Sequence, residues 1–169
     1  IVRREQDRVA GERLHTGKFW LEGTDRGNDP IFFREPRGLV VVNDEIRHIA
    51  REAAGPLRDP VEKARAFYDY VLGHMRYDKT GEGWGRGDAV YACRVGKGNC
   101  TDFHSLFMAL CLAEGVPVRF LMGYPLPQKA TGMVEVPYHC WAEFYAEDRG
   151  WIPVDISEAW KHPERGYPS

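Results

Sequence analysis

GKGNCTDFHSLF, residues 96–107, marks the point at which a glycine-rich turn gives way to a helix that begins at Cys100. Apolar residues then recur with the helical period until Gly115, which predicts the end of that helix. A free cysteine has a pKa of about 8.5, and the unpaired N–H groups and dipole of a helix N-terminus lower it. Cys100 is therefore interpreted as a reactive nucleophile or as a small buried apolar residue, and its position alone favours neither.

The composition is that of a folded domain. The chain has 169 residues, of which 43% are hydrophobic, 28% charged and 12% aromatic, and this suits one globular domain with a core. A net charge of −2 gives no indication of a nucleic-acid or anionic-membrane partner. No apolar run approaches the roughly 20 residues of a membrane span. Because the first residue is Ile1, we expect a fragment or a processed form.

The patterning predicts an α+β fold. Before residue 77 the sequence predicts two short strands and two helices: strands at Ile31–Phe33 and Leu39–Val42, and helices from Asn43 or Asp44 to Gly55 and from Asp59 to about Arg76. After the Cys100 helix it predicts a strand at Val116–Gly123, a loop at Tyr124–Pro137, and strands at Tyr138–Tyr145 and Trp151–Ile156. Helices packed on one side of an antiparallel sheet follow from this order.

The sequence also predicts a long loop before Cys100 and the boundary of the domain. Residues 78–99 are rich in glycine and predict a long functional loop that leads to Cys100. Residues 1–30 are predicted to be an irregular segment and residues 31–169 a single domain.

The four cysteines form no C-x-x-C pair and no regular disulfide framework. A metal site would require Cys93, Cys100, His104 and His139 to converge, which matches no familiar ligand spacing. We therefore predict no metal and no cofactor. The compartment stays open, with a cytoplasmic location favoured over a periplasmic or secreted one.

A nucleophilic cysteine needs a base, and six histidines are available. His15, His48 and His162 lie in polar surroundings, and His74 suits the end of a helix. His104 is one turn after Cys100, but a base at that position would point along the buried helix. We therefore interpret His104 as a structural or supporting residue.

His139 has better-placed neighbours. In YHCWAEFY, strand alternation puts His139 on the same face as Trp141, and in WIPVDI it puts Trp151 on the same face as Asp155. If the two strands pair with an even register sum, His139 and Asp155 share a face and lie opposite or diagonal to each other. The alternative is an ordinary polar pair on a solvated face, and the two tryptophans argue against it.

These residues predict a Cys100–His139–Asp155 triad. Cys100 would attack an amide or ester carbonyl, His139 would protonate the leaving amine, and Asp155 would orient the imidazole. The backbone N–H of Cys100 could serve an oxyanion hole. Asp102 opposes this interpretation, since a carboxylate in the same turn disfavours a thiolate and calls for a cationic partner.

The sequence from about Val40 to Trp160 resembles the transglutaminase-like superfamily. The resemblance is carried by AFYDYVLGHMRYDKTG (66–81), GWGRGDAVYAC (83–93), GNCTDFHSLFMALCLAEGVPVRFLMGYPLP (98–127) and YHCWAEFYAEDRGWIPVDISEAWK (138–161). The combination of Gly-x-Cys-x-Asp, His-x-Trp and Gly-Trp-x-Pro-x-Asp is specific, whereas any one of them alone is weak. The chain resembles the bacterial transglutaminase-like proteins more than the large animal enzymes.

The resemblance implies a papain-like, transglutaminase-core α+β fold and places the family triad on Cys100, His139 and Asp155. It makes four residues look like scaffold: Gly115, Pro117, Arg119 and Gly123. The family's oxyanion and substrate-binding side chains are assigned to Trp84, Tyr91 and Trp141. Calcium dependence is not carried over, because no Asp-x-Asp-x-Asp-Gly loop is present. One more strand, expected after SEAWK in related proteins, is expected to be missing here.

The partner is therefore predicted to be a peptide or protein substrate, without nucleic acid or membrane, and the oligomeric state stays open. A peptidase or isopeptidase-type hydrolase is favoured. The alternatives are a protein-glutamine transglutaminase, a peptide:N-glycanase-like amidase and a non-catalytic binding or scaffold domain.

Overall fold

The computed structural model describes residues 3–5, 18–20, 29–124 and 138–163. The chain divides into two compact units, Ile1–Asn28 with Met122–His139, and Asp29–Leu121 with Cys140–Ser169. In the first unit, strands β1 (Arg3–Glu5) and β2 (Lys18–Trp20) pair antiparallel. The predicted division of the chain at residue 30 stays a prediction. Within the described ranges, no helix has the length and apolar character needed to cross a membrane.

Helices α1 (Asp44–Ala54) and α2 (Pro60–His74) begin where the sequence predicts them. Asn43 caps α1 by accepting a hydrogen bond from the backbone N–H of Ile46 at 2.9 Å. Asp59 caps α2, and Pro60 occupies its first turn, where a missing N–H costs nothing. Helix α2 ends two residues before the predicted Arg76, because Arg76–Tyr77 pairs as a short strand.

The two strands predicted between residues 31 and 42 are wrong. Pro30–Phe33 is a 3-10 helix, whose first turn is capped by Asp29 accepting from the N–H of Ile31 at 3.0 Å. Leu39–Val42 is irregular, and the Leu39 carbonyl accepts a hydrogen bond from the N–H of Ala89 at 3.1 Å. Runs of three or four β-prone residues are too short to decide their own conformation against a strong Asp-Pro cap.

Residues 78–99 are not one continuous loop, which corrects the prediction. Helix α3 (Ala89–Val95) lies within them, and Asp88 caps it by accepting from two backbone N–H groups at 3.0 Å. Strands β3 (Arg76–Tyr77) and β4 (Lys97–Gly98) pair parallel and close the segment. The cap residue and a terminal Gly96 were visible in the sequence, but a helix of two turns gives little periodicity.

Helix α4 (Cys100–Ala113) begins at Cys100 as predicted and forms the centre of the core. Phe103, Leu106, Phe107 and Leu110 are fully buried. They share one apolar cluster with residues of α1, α2, α3 and the sheet. Because α4 is buried on nearly every side, core packing fixes its position. The position of Cys100 at its start is fixed with it.

The sheet has the order β5 (Val118–Gly123), β6 (His139–Ala146), β7 (Gly150–Val154). Strands β6 and β7 are antiparallel, with Glu143 opposite Pro153 and Tyr145 opposite Trp151, so odd residues face odd residues. The even-numbered side chains of β6 are buried: Cys140, Ala142, Phe144 and Ala146. The predicted α+β fold is confirmed. The strand predicted to include Ile156 ends earlier, because Asp155 caps helix α5 (Ile156–Lys161).

A buried ion pair joins β5 to β6. Arg119 donates from Nε and Nη2 to one oxygen of Glu143 at 2.9 and 2.6 Å, and both side chains are buried. The Arg119 guanidinium also lies 4.2 Å from the ring centroid of Trp151. Arg119, interpreted from the sequence as scaffold, thus places its charge in a buried ion pair.

We predict that Glu143→Ala lowers the free energy of unfolding by about 3–5 kcal/mol, because it removes the buried carboxylate to which the buried Arg119 donates. Denaturant unfolding monitored by tryptophan fluorescence measures this. The matched control is Asp69→Ala, which breaks the exposed Arg65–Asp69 pair and should cost less than about 1 kcal/mol. Equal effects of the two variants would contradict the structural role of the buried pair.

Candidate functional site

Cys100 is the first residue of α4 and only 5% of it is exposed. Asn99 caps the helix by accepting from the N–H of Thr101 at 2.9 Å. The side chain of Cys100 thus stands at the positive end of a buried helix, in the first turn, where a thiolate is best stabilised.

Asp102, which from the sequence opposes a thiolate at Cys100, has a structural role. Its carboxylate is fully buried and accepts three backbone N–H groups: Gly85 at 2.6 Å, Asn99 at 3.0 Å and Gly87 at 3.3 Å. With Asn99 it completes a capping box. The negative charge is therefore held by hydrogen bonds to the preceding glycine segment, and it fixes that segment against the start of α4.

Gly98 and Gly85 are required by this close approach. A Cβ on Gly98 would lie 2.2 Å from an oxygen of Asp102, far inside van der Waals contact. Gly85 has a φ of +78°, which other residues rarely adopt, and donates to the same carboxylate. The glycine spacing that the sequence analysis interpreted as a functional loop thus serves to bring backbone N–H groups to Asp102.

Trp84 and Tyr91, the two aromatic candidates for oxyanion or substrate binding in the glycine segment, differ in their environment. Trp84 is half-buried between Gly83 and Gly85. Tyr91 lies in α3, and its hydroxyl donates to the carbonyl of Glu82 at 3.1 Å, so it supports the loop. Their assignment to oxyanion or substrate binding stays a prediction.

His104 joins the start of α4 to the start of α5. Its Nδ1 is 2.7 Å from the carbonyl oxygen of Cys100, and its Nε2 accepts the N–H of Ile156 at 3.1 Å. A carbonyl can only accept and a backbone N–H can only donate, so the neutral imidazole with its proton on Nδ1 satisfies both contacts. His104 is fully buried, as its interpretation as a structural residue requires.

Asp155 lies at the junction that His104 reaches. Its Oδ1 accepts from the N–H of Glu158 and from the hydroxyl of Ser157, both at 3.1 Å, which caps α5. The same oxygen is 3.8 Å from His104 Nε2. The carboxylate is thereby held in one orientation, directly after the last residue of β7.

His139 is the first residue of β6, and Trp141 follows it half-buried. Both are odd-numbered, as are Glu143 and Tyr145, so strand alternation gives these four residues one face. The roles assigned to His139 and Trp141 stay predictions.

Cys140, which the sequence analysis did not single out, lies beside the proposed nucleophile. Its fully buried thiol is hydrogen bonded to the side chain of Cys100, and its Sγ is 3.6 Å from the Thr101 hydroxyl. The interaction with Cys100, followed by burial, raises the pKa of the Cys140 thiol far above its usual value. Strand alternation predicts that Cys140 points inward, but only the tertiary structure brings it to α4.

Lys161 supplies the cation that the sequence analysis required. Its ammonium donates to Glu158 at 2.5 Å and lies 4.2 Å from the ring centroid of Tyr77. Burial alone would lower the pKa of this ammonium, but Glu158 outweighs it, with smaller contributions from Tyr77 and Cys100, and the pKa is raised. Lys161 therefore stays charged and favours a negative charge on Cys100.

The described residues contain no group of three or more His, Cys, Asp or Glu side chains placed to hold a metal ion. The predictions of no metal and no cofactor concern the whole chain and stay predictions.

The geometry agrees with what comparison with known proteins finds. The family model described as the transglutaminase-like superfamily matches residues 47–156, well over half of the chain. The chain belongs to the transglutaminase-like superfamily. An uncharacterized protein of Haemophilus influenzae is 29% identical to this superfamily member over 135 residues, which are 69% of this chain and 37% of that protein.

Solved structures show the same fold for this transglutaminase-like chain. A candidate cysteine protease from Cytophaga hutchinsonii aligns with a TM-score of 0.63 at 24% identity, over 76% of this chain and 42% of that one. The periplasmic domain of TgpA from Pseudomonas aeruginosa aligns with a TM-score of 0.61 at 20% identity, over 84% of this chain and 50% of that one. This chain thus spans half or less of the proteins that it matches.

We predict that iodoacetamide at about pH 7 alkylates Cys100 at least roughly tenfold faster than the other three cysteines. Burial raises the pKa of the Cys93 and Cys111 thiols, and Cys140 is fully buried. Peptide mass spectrometry of timed samples measures each rate. The control is Cys93→Ala, which should leave the Cys100 rate unchanged. Slow labelling of all four cysteines alike would contradict a reactive Cys100.

We predict that Asp102→Asn lowers the free energy of unfolding by about 2–3 kcal/mol, because an amide nitrogen would face backbone N–H donors. The matched control is Asp88→Asn at the cap of α3, which should cost less than about 0.5 kcal/mol since Asn caps as well as Asp. Thermal and denaturant unfolding compare the two variants. Faster alkylation of Cys100 in Asp102→Asn without loss of stability would show instead that Asp102 acts mainly through its charge.

Proposed function

We propose that this protein is a cysteine-dependent hydrolase that cleaves amide bonds in peptides or proteins, of the peptidase or isopeptidase type. Cys100 is the nucleophile, His139 the general acid and base, and Asp155 the residue that orients His139. The observation that carries the proposal is the buried His104 bridge, which hydrogen bonds Cys100 to the chain segment that begins at Asp155.

The bridge matters because a nucleophile and an orienting carboxylate must be held within a fraction of an ångström. His104 spans from the carbonyl of Cys100 to the N–H of Ile156, the residue after Asp155. A purely structural helix start would not need a buried imidazole there. Strand parity supports His139 as the third member, since it shares the odd face of β6 and β7.

The chemistry proceeds in two steps. The Cys100 thiolate attacks the carbonyl carbon of the scissile amide, and the C–N bond breaks as His139 gives a proton to the leaving amine. Water, deprotonated by His139, then hydrolyses the thioester and releases the acid. The backbone N–H groups at the start of α4 stabilise the oxyanion, and Trp84 is a second candidate for this role. Lys161 favours the thiolate by its charge.

The name of the Cytophaga hutchinsonii relative supports hydrolysis. Two other reactions use the same residues. An amine that reaches the thioester before water gives transamidation, and an amide of glutamine or glycosylated asparagine as substrate gives an amidase. A non-catalytic binding domain is the alternative from another class, and it would not require the bridge to Asp155.

The reaction class is tested by incubating the protein with a casein-like substrate and a labelled primary amine. New N-termini, found by mass spectrometry, support the peptidase. Incorporated amine without new termini indicates a transglutaminase, and a mass gain of about 1 Da without either indicates deamidation. No product of any kind, with the Cys100→Ala variant giving the same background, would favour the binding domain.

We predict that Asp155→Asn lowers kcat by roughly 10²–10⁴-fold without loss of stability, because Asn still caps α5 but no longer supplies a carboxylate. Asp155→Ala should lose both activity and about 1 kcal/mol of stability. His139→Ala should lower kcat at least as much and slow iodoacetamide labelling of Cys100. Full activity of Asp155→Asn would reduce Asp155 to a helix cap and overturn its catalytic role.

A further inference from the structure

A second thiol lies against the proposed nucleophile, and the mechanism above does not use it. Cys140 is fully buried on the inner face of β6, and its side chain is hydrogen bonded to that of Cys100. The Thr101 hydroxyl, 3.6 Å from Cys140 Sγ, holds the thiol on the side of the α4 start. The other two cysteines, Cys93 on α3 and Cys111 near the end of α4, are buried in the apolar core.

We propose that Cys100 and Cys140 form a reversible disulfide when the protein meets a hydroperoxide, so that the pair is an oxidative modification site and a redox switch of the nucleophile. The bond can form without catalysis of amide cleavage. Its consequence as a switch rests on the proposed function, because closing the bond removes the thiolate on which that function depends.

The reaction balances in two steps. The Cys100 thiolate attacks the peroxide, the O–O bond breaks, and the sulfur is oxidised to sulfenic acid as the peroxide is reduced to water or alcohol. The Cys140 sulfur then attacks the Cys100 sulfur, the S–O bond breaks, and the hydroxide leaves with the Cys140 proton as water. A dithiol returns both cysteines to thiols by exchange.

The electrostatics favour this order. Of the two thiols in the pair, Cys100 is 5% exposed and Cys140 is fully buried. A helix start and Lys161 favour the Cys100 thiolate, so Cys100 reacts with the oxidant first. The main cause that raises the pKa of Cys140 is its hydrogen bond with Cys100, followed by burial, and the negative charge of Cys100 makes a smaller contribution in the same direction. A neutral sulfenic acid at Cys100 removes the contribution of that charge, so one of the causes that oppose ionisation of Cys140 is absent when Cys140 is needed as the attacking group.

The arrangement also decides the fate of the nucleophile under oxidation. A sulfenic acid without a nearby thiol is oxidised further to sulfinic acid, which is irreversible in most proteins. Cys140 competes with that second oxidation. A serine at residue 140 would occupy nearly the same space on β6 without offering this protection.

The test treats the whole chain with about one equivalent of hydrogen peroxide at neutral pH. Non-reducing peptide mapping should then find the Cys100 and Cys140 peptides joined, with a mass lower by two hydrogens than their sum. Dithiothreitol should restore most of the Cys100 labelling by iodoacetamide. In Cys140→Ser, peroxide should instead give sulfinic acid at Cys100, with little recovery. Cys93→Ala, the matched control, should behave like the wild type.

Sulfinic acid at Cys100 in the wild-type protein without a joined peptide overturns the proposal, as does equal recovery in Cys140→Ser and wild type. Neither result affects the proposed function. Conversely, a joined peptide in a protein that cleaves no amide supports the disulfide while the proposed function fails. The wild-type peptide map decides the point even if Cys140→Ser does not fold.

Discussion

The burial of one carboxylate organises the region around Cys100. A fully buried Asp102 must find hydrogen-bond donors, because an unpaired buried charge costs several kcal/mol. It finds them in backbone N–H groups at Asn99 and in the glycine segment at Gly85 and Gly87. This requirement fixes the path of the chain before α4 and excludes a side chain at Gly98. The start of the helix, and Cys100 with it, is held from both sides.

A second buried polar side chain, that of His104, links the start of α4 to the segment that follows β7. His104 uses one ring nitrogen for the Cys100 carbonyl and the other for the N–H of Ile156. Both of its polar atoms are satisfied, so its burial costs little. Helix α4 and the start of α5 are thus linked by hydrogen bonds as well as by apolar packing. Asp155 is held in place in two ways: His104 binds the N–H of Ile156, the next residue, and the carboxylate of Asp155 itself caps α5.

The contact between the two thiols arises in a different way from these hydrogen-bonded links. Cys100 is placed by the helix start, and Cys140 by the inward face of β6, which packs in the same core. The inward face of β6 is also filled by small apolar residues such as Ala142, so packing on that strand does not require a cysteine. The chemistry of the pair therefore arises from the meeting of two elements and is not a property of either.

Local patterns in the sequence determined much of the fold. The caps at Asn43 and Asp59 and the helix start at Cys100 were correct, because a capping side chain bonds to N–H groups two or three residues away. The strands of the β6–β7 hairpin followed from alternation and a short turn, and the odd–odd register is the one under which His139 and Asp155 were expected to share a face. Short segments, such as the 3-10 helix at Pro30–Phe33 and helix α3, escaped prediction because a few residues carry too little periodicity.

Only the tertiary structure decided the contacts between residues that are far apart in the chain. The sequence marked Asp102 as an opposing charge, since a reader of the sequence cannot see N–H groups that come from Gly85 and Gly87. It could place His104 on a buried face but not find Ile156 as its partner, 52 residues away. The same holds for Cys140 beside Cys100. Local hydrogen bonds are encoded by neighbours, whereas the environment of a reactive group is set by which elements the core packs together.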